Sequence, residues 1–252
     1  MFKKALAGLA VMVAASSANA ALMDIQVDLE LQLLADVSGS VDSTEYSLQL
    51  QGYEQAFRSA NVHDAIMNGN IGSIAVQYIE WSGSLDQRVQ INWFEINSAA
   101  SANAFADALA GVNRAFSGGT RIYSAIDFGV NQFVDNGFDS NRQVMDISGD
   151  GTSNTSLTST ARDNALAAGI DTINGITIGT STSLQNFYDA NVIGGVGAFQ
   201  INASTFADFT SGIERKLVRE ISVPKDVPTP SSLALLAIGL IGAGAAARKR
   251  RA

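Results

Sequence analysis

The chain has 252 residues, enough for one ordinary domain plus short targeting segments, and its 46% hydrophobic content argues for a folded core. It has no cysteine, which excludes disulfides and thiolate metal sites, and its one histidine, His63, makes zinc a poor first choice. Six of the 16 basic residues (Lys3, Lys4, Arg248, Lys249, Arg250 and Arg251) lie at the ends, so residues 21–230 hold ten against 24 acidic ones; a formal charge of −14 repels phosphate backbones and excludes nucleic acid as a partner.

In chain order, residues 1–20 read as a secretory signal peptide. Lys3 and Lys4 form the basic start, residues 5–15 the apolar stretch, and Ala18-Asn19-Ala20 an A-x-A cleavage site. The domain is expected at 21–222. Residues 31–37 are a short apolar run that ends in Asp36-Val37-Ser38-Gly39-Ser40. Residues 44–59 predict a helix, with Tyr46, Leu50, Tyr53 and Phe57 at helical spacing. Two strands, 71–81 and 88–96, are joined too closely for a crossover and predict an antiparallel hairpin at one edge of a sheet. An alanine-rich helix at 98–109 follows, then a helix at 120–136 with Ile122, Ile126, Val130 and Phe133 on one face. A strand at 143–148 leads into Gly149-Asp150-Gly151. Beyond it, helices are expected at 159–168, 184–190 and 205–221, and strands at 172–178 and 198–202. Strands alternating with helices predict an α/β fold: a doubly wound, mostly parallel, six-stranded sheet with helices on both faces and one antiparallel edge strand. Residues 223–231 contain all three prolines, Pro224, Pro228 and Pro230, and read as an extended linker. Residues 232–252 are an apolar segment with a basic tail, short but usable as a membrane span.

Sheets of this kind bind ligands at the carboxyl ends of their strands, where strand order reverses. There the sequence places Asp36, Ser38 and Ser40, which alternate along an extended segment and so face one way. It adds Asp150 between two glycines, and Thr120 after the loop Ser117-Gly118-Gly119. Two carboxylates and three hydroxyls make an all-oxygen set suited to Mg²⁺ or Mn²⁺, with Ca²⁺ a weaker fit. Only two formal charges balance the ion, which leaves it Lewis acidity and an open position for an acidic group of a partner.

The pattern D-x-S-x-S, a distant Thr and a distant Asp resembles the metal-ion-dependent adhesion site (MIDAS) of von Willebrand factor A (vWA) domains, matched at Asp36, Ser38, Ser40, Thr120 and Asp150. The local strings look similar to a bacterial vWA subfamily of unknown function. The resemblance implies a vWA/Rossmann-like fold and a binding module that engages a protein or acidic polysaccharide through the metal. It also implies movement of the last helix, at 205–221, on ligand engagement. The C-terminal region resembles the PEP-CTERM sorting signals of Gram-negative bacteria, here with Val227-Pro228-Thr229-Pro230 and threonine where glutamate is usual. That implies export, transient attachment to the inner membrane, and a sorting protease as partner, with the periplasm, cell surface or extracellular matrix as destination. A plain C-terminal anchor is the alternative.

Two other functions stay in view. One is a structural component of the cell surface or exopolysaccharide matrix, in which the metal only holds loops. The other is a metal-dependent hydrolase, but no general base is evident, so the chain is expected not to be an enzyme. Asp146, a charge in an apolar strand, is read either as a group behind the metal or as half of an internal ion pair with an arginine such as Arg121 or Arg142. His63 is expected to be solvated, and Trp81, Trp93 and Phe94 to pack under the edge hairpin.

Overall fold

The computed structural model describes residues 23–222; the expected signal peptide (1–20), linker (223–231) and apolar segment with basic tail (232–252) lie outside them. In chain order the elements are β1 (Ile25–Gln26), β2 (Leu29–Asp36), α1 (Ser43–Arg58), α2 (Ala60–Met67), β3 (Ile74–Trp81), β4 (Gln87–Ile96), α3 (Ala99–Ala110), α4 (Ile122–Val130), β5 (Phe138–Asp139), β6 (Gln143–Gly149), α5 (Thr155–Ala167), β7 (Thr172–Ile178), α6 (Thr182–Phe187), β8 (Gly194–Gly195), β9 (Gln200–Ala203) and α7 (Phe206–Ile221).

The main sheet runs β4-β3-β2-β6-β7, and β9 and β8 share the outer edge of β7. All six expected strands are present. β4 is the antiparallel edge strand, paired with β3, while β2, β3, β6, β7 and β9 run parallel. Every residue of β2 and β3 is buried, as parallel strands covered on both faces require. Odd positions of β2, Leu29, Leu31 and Leu33, pack with Tyr53, Phe57, Phe105 and Phe209 from α1, α3 and α7. On the other face Leu34, Met145 and Ile147 pack with Ile122, Ile126, Ala161 and Leu184 from α4, α5 and α6. Each such side chain contributes about 1.5–3 kcal/mol by leaving water. The chain leaves β2 toward β3 on one side and pairs with β6 on the other, so the strand order reverses between Asp36 and Gly149.

The differences from expectation have local causes. α2 reads as loop in the sequence because it is short and buries only Val62 and Ile66. Its start is set by Ser59, which ends α1 and caps Asn61 N. The helix expected to reach 136 ends at Val130 and tightens into a 3₁₀ turn at Asn131–Phe133. Asp135 (φ 49°) and Gly137 (φ 86°) then take the left-handed region, which no helix continues through. α5 begins four residues earlier than expected, where the Asn154 side chain accepts from Leu157 N.

Trp81 is fully buried, Trp93 packs edge-on to Phe133 and Phe94 lies against Phe105, as expected of core aromatics. His63 is half-buried rather than solvated, with Nε2 2.7 Å from the Phe57 carbonyl. Among the described residues no helix is long and apolar enough to cross a membrane.

Candidate metal site

Three loops meet at the carboxyl end of the sheet. The first leaves β2 after Val37 N donates to the Trp81 carbonyl (2.9 Å). The Asp36 carboxylate then folds over its own loop and accepts from Ser38 N at 2.8 Å. Gly39 N donates to the Gly118 carbonyl at 2.8 Å, which ties this loop to the one before α4. Arg114 reinforces the tie. Its Nη2 donates to the carbonyls of Val37 (2.9 Å) and Ser38 (2.8 Å), and its Nε to that of Phe116 (2.8 Å). Glu80, fully buried on β3, accepts from Tyr46 Oη, Gln90 Nε2 and Ala115 N, each at 2.7 Å, and so fixes the other end of the same loop. Ser82, just after β3, holds it near Thr120 by accepting from Gly118 N and Arg121 N. Arg114 and Glu80 carry no motif; the sequence signal was an acid at position 80 inside an otherwise buried strand.

Four of the five predicted residues form one chain of oxygens, and the fifth, Asp36, joins it through the Ser38 N–H. Thr120 Oγ1 donates to Ser38 Oγ (3.2 Å), the Ser38 and Ser40 hydroxyls are 3.1 Å apart, and Ser40 Oγ donates to Asp150 Oδ1 (2.8 Å). Asp36 and Ser38 are buried, Thr120 and Asp150 partly so, and Ser40 is exposed, so the set opens to solvent on one side only. A Cβ on Gly151 would stand 3.3 Å from Thr120, which explains the small residue beside Asp150. Burial pushes the Asp36 carboxyl up from 3.8 to about 7, opposed by hydrogen bonding from Ser38 and raised further by the charge of Asp150. One of its oxygens, Oδ2, is buried without a partner. A fully buried carboxylate with a single N–H donor, facing a second carboxylate across three hydroxyls, is a donor set that fits a hard divalent cation. Among the described residues no group of three or more His, Cys, Asp or Glu side chains offers another metal centre.

Asp146 is half of an ion pair, but with a different partner from those expected. Its Oδ1 lies 2.7 Å from Lys216 Nζ on α7, and the same ammonium contacts Glu220; all three side chains are fully buried. Arg121 instead donates to the Thr120 carbonyl, and Arg142 to the carbonyls of Glu220 and Ile221 at the end of α7. Burial raises both carboxyls above the usual carboxylate range, and the one Lys216 ammonium they share offsets this only in part. Asp36 and Glu220 thus keep protons that the unfolded chain has released. The folded state binds more protons between about pH 4.5 and pH 7, and stability from these groups falls as pH rises through that window. The cation-free protein is therefore expected to melt higher at pH 5.5 than at pH 8. An unchanged or lower melting temperature at pH 5.5 would mean that these carboxyls are ionised in the fold.

A family model described as "Protein of unknown function (DUF1194)" matches residues 26–225. The chain belongs to the DUF1194 family. No protein of curated function matches it. Solved structures similar to the DUF1194 chain include a pilus adhesin, SpaC from Lactobacillus rhamnosus GG, in an open conformation (TM-score 0.56, 13% identity, 79% of this chain and 31% of that one). They also include proximal thread matrix protein 1 from the mussel byssus, with a zinc-occupied MIDAS motif (0.55, 15%, 79% and 47%), and a von Willebrand factor type A protein from Catenulispora acidiphila (0.52, 14%, 78% and 43%). The DUF1194 chain spans less than half the length of each. What is shared at these identities is the fold, a vWA-type α/β sandwich.

Proposed function

We propose that this DUF1194 chain is a binding module in which Asp36, Ser38, Ser40, Thr120 and Asp150 hold one divalent cation, Mg²⁺ or Mn²⁺, and present it to an acidic group of a protein or polysaccharide. The observation that carries this reading is the continuous oxygen chain from Thr120 to Asp150, built from three loops at the switch point of the sheet. Bound there, the cation supplies Lewis acidity toward a carboxylate. The protein's own part is rigidity: Arg114 and Glu80 hold the loops in place before any ligand arrives, which lowers the cost of ordering them on binding. The reading also draws support from the pilus adhesin and the byssal thread protein, whose fold this chain shares.

The module works outside the cytoplasm and does no catalysis. Export rests on the basic, apolar and Ala18-Asn19-Ala20 order of residues 1–20, and release or anchoring on the proline motif and basic tail of residues 223–252. As for catalysis, the one histidine of the chain, on α2, has its ring against the Phe57 carbonyl.

Calorimetric titration of the purified protein with Mg²⁺, Mn²⁺ and Ca²⁺ tests the reading. Saturable uptake of one cation is expected in the wild type, and at least a hundredfold weaker uptake in Asp36→Ala and Asp150→Ala. A wild type that takes up no cation would retire it. If the domain is instead a matrix component whose cation only holds loops, both variants lower the melting temperature while surface or matrix attachment stays unchanged.

A further inference from the structure

Tyr188 follows α6, and its fully buried ring lies in the core cluster that joins Ile147 of β6 to Leu184 of α6. Two glycines on neighbouring strands make its path. A Cβ on Gly175 of β7 would stand 2.7 Å from the ring, and one on Gly149 of β6 would stand 2.6 Å from the hydroxyl. That second point is also 3.0 Å from Asp36 Oδ2. The Tyr188 hydroxyl and the free oxygen of Asp36 therefore flank the same α-carbon. Both atoms are buried, and neither has a hydrogen-bond partner in the fold. Buried polar atoms are seldom left unpaired, and here a donor and an acceptor are orphaned at one place. Burial, with the nearby charges of Asp36, Asp150 and Asp146, keeps the phenol protonated and so a donor.

We propose that Tyr188 is a positioning residue for the cation site, its hydroxyl donating toward Oδ2 of Asp36 through one enclosed water. The carboxylate is then gripped from both sides, by Ser38 N on Oδ1 and by the water-bridged phenol on Oδ2. Its plane is fixed relative to Ser38, Ser40 and Asp150. Outer hydrogen bonds of this kind orient ligating groups, and their loss weakens metal binding roughly 10- to 100-fold. The effect on the cation rests on the metal-binding reading above; the hydrogen bond itself does not. The glycines at 149 and 175 gain a reason beyond backbone geometry, since any side chain at either would push the tyrosine off this path.

The test uses wild type, Tyr188→Phe, Asp36→Asn and the double variant. Phenylalanine keeps the ring packing and removes only the hydroxyl. In cation-free protein, a double-mutant cycle on unfolding stability is expected to be non-additive. Calorimetry is expected to show Mg²⁺ affinity at least tenfold lower in Tyr188→Phe than in the wild type. Additive stabilities overturn the inference, because the two side chains then do not interact. A wild type that binds Mg²⁺ while Tyr188→Phe binds it equally well overturns it while leaving the metal reading intact. A wild type that binds no Mg²⁺ retires the metal reading and with it any role for Tyr188 at a cation.

Discussion

Replacing Lys216 with alanine is expected to destabilise the domain by about 3–5 kcal/mol and to lower its melting temperature by roughly 10 °C. The ammonium is fully buried between Asp146 and Glu220. Removing it leaves two carboxylates in the same water-free space, with Asn174 Nδ2 donating to one oxygen of Glu220 and the other oxygen unpartnered. The cost comes from the abandoned anions rather than from the lost attraction, so it should be recoverable. A triple variant, Lys216→Met with Asp146→Asn and Glu220→Gln, is expected to regain most of the stability in urea melts. A single variant that loses under 1 kcal/mol would mean that the carboxyls simply take up protons. The three residues join β6 to α7, so the last helix is held to the sheet by charge as well as by Phe209, Ile213 and Leu217.

The second large effect is expected at Arg114. One guanidinium holds three carbonyls, those of Val37, Ser38 and Phe116, and so spans the two loops that supply four of the five site oxygens. Arg114→Met is expected to cost about 2–3 kcal/mol, since three buried or half-buried carbonyls lose a charged donor. Cation affinity should fall at least tenfold as the Ser38 and Thr120 loops drift apart. Lysine should not rescue it, because a point charge cannot reach all three carbonyls in the plane of a guanidinium. Calorimetry on both variants decides this, and affinity equal to that of the wild type would show that Gly39 and Gly118 alone hold the loops together.

The parts of the fold that could be read in the sequence are those that repeat a pattern. Apolar runs pointed to the strands, and the helical spacing of Tyr46, Leu50, Tyr53 and Phe57 pointed to α1. The candidate site residues were legible because they sit in loops at the end of the sheet, where alternation and glycine are visible. What escaped were interactions between distant residues. Asp146 was paired in expectation with an arginine, yet Lys216 and Glu220 both fall on the buried stripe of α7, and that placement was the available clue. Tyr188 did not stand out in its short predicted helix at 184–190, because only the sheet register brings Gly175 and Gly149 into line beneath it. The two-residue pairing of β1 with β5 is too short to leave any periodicity at all.

The direction of α7 sets which pole of the domain its two ends share. The helix starts beside the carboxyl end of β9 and finishes where Arg142 caps its last carbonyls, at the amino end of β6. Ile25 lies near the same end, hydrogen-bonded to Gly137 ahead of β5. Entry and exit of the domain thus share one pole, and the Asp36 loops occupy the other, about 24 Å away by the length of a 16-residue helix. A tether at either terminus would carry the domain like a lamp on a stalk, its Asp36 loops turned away from whatever surface the stalk is rooted in.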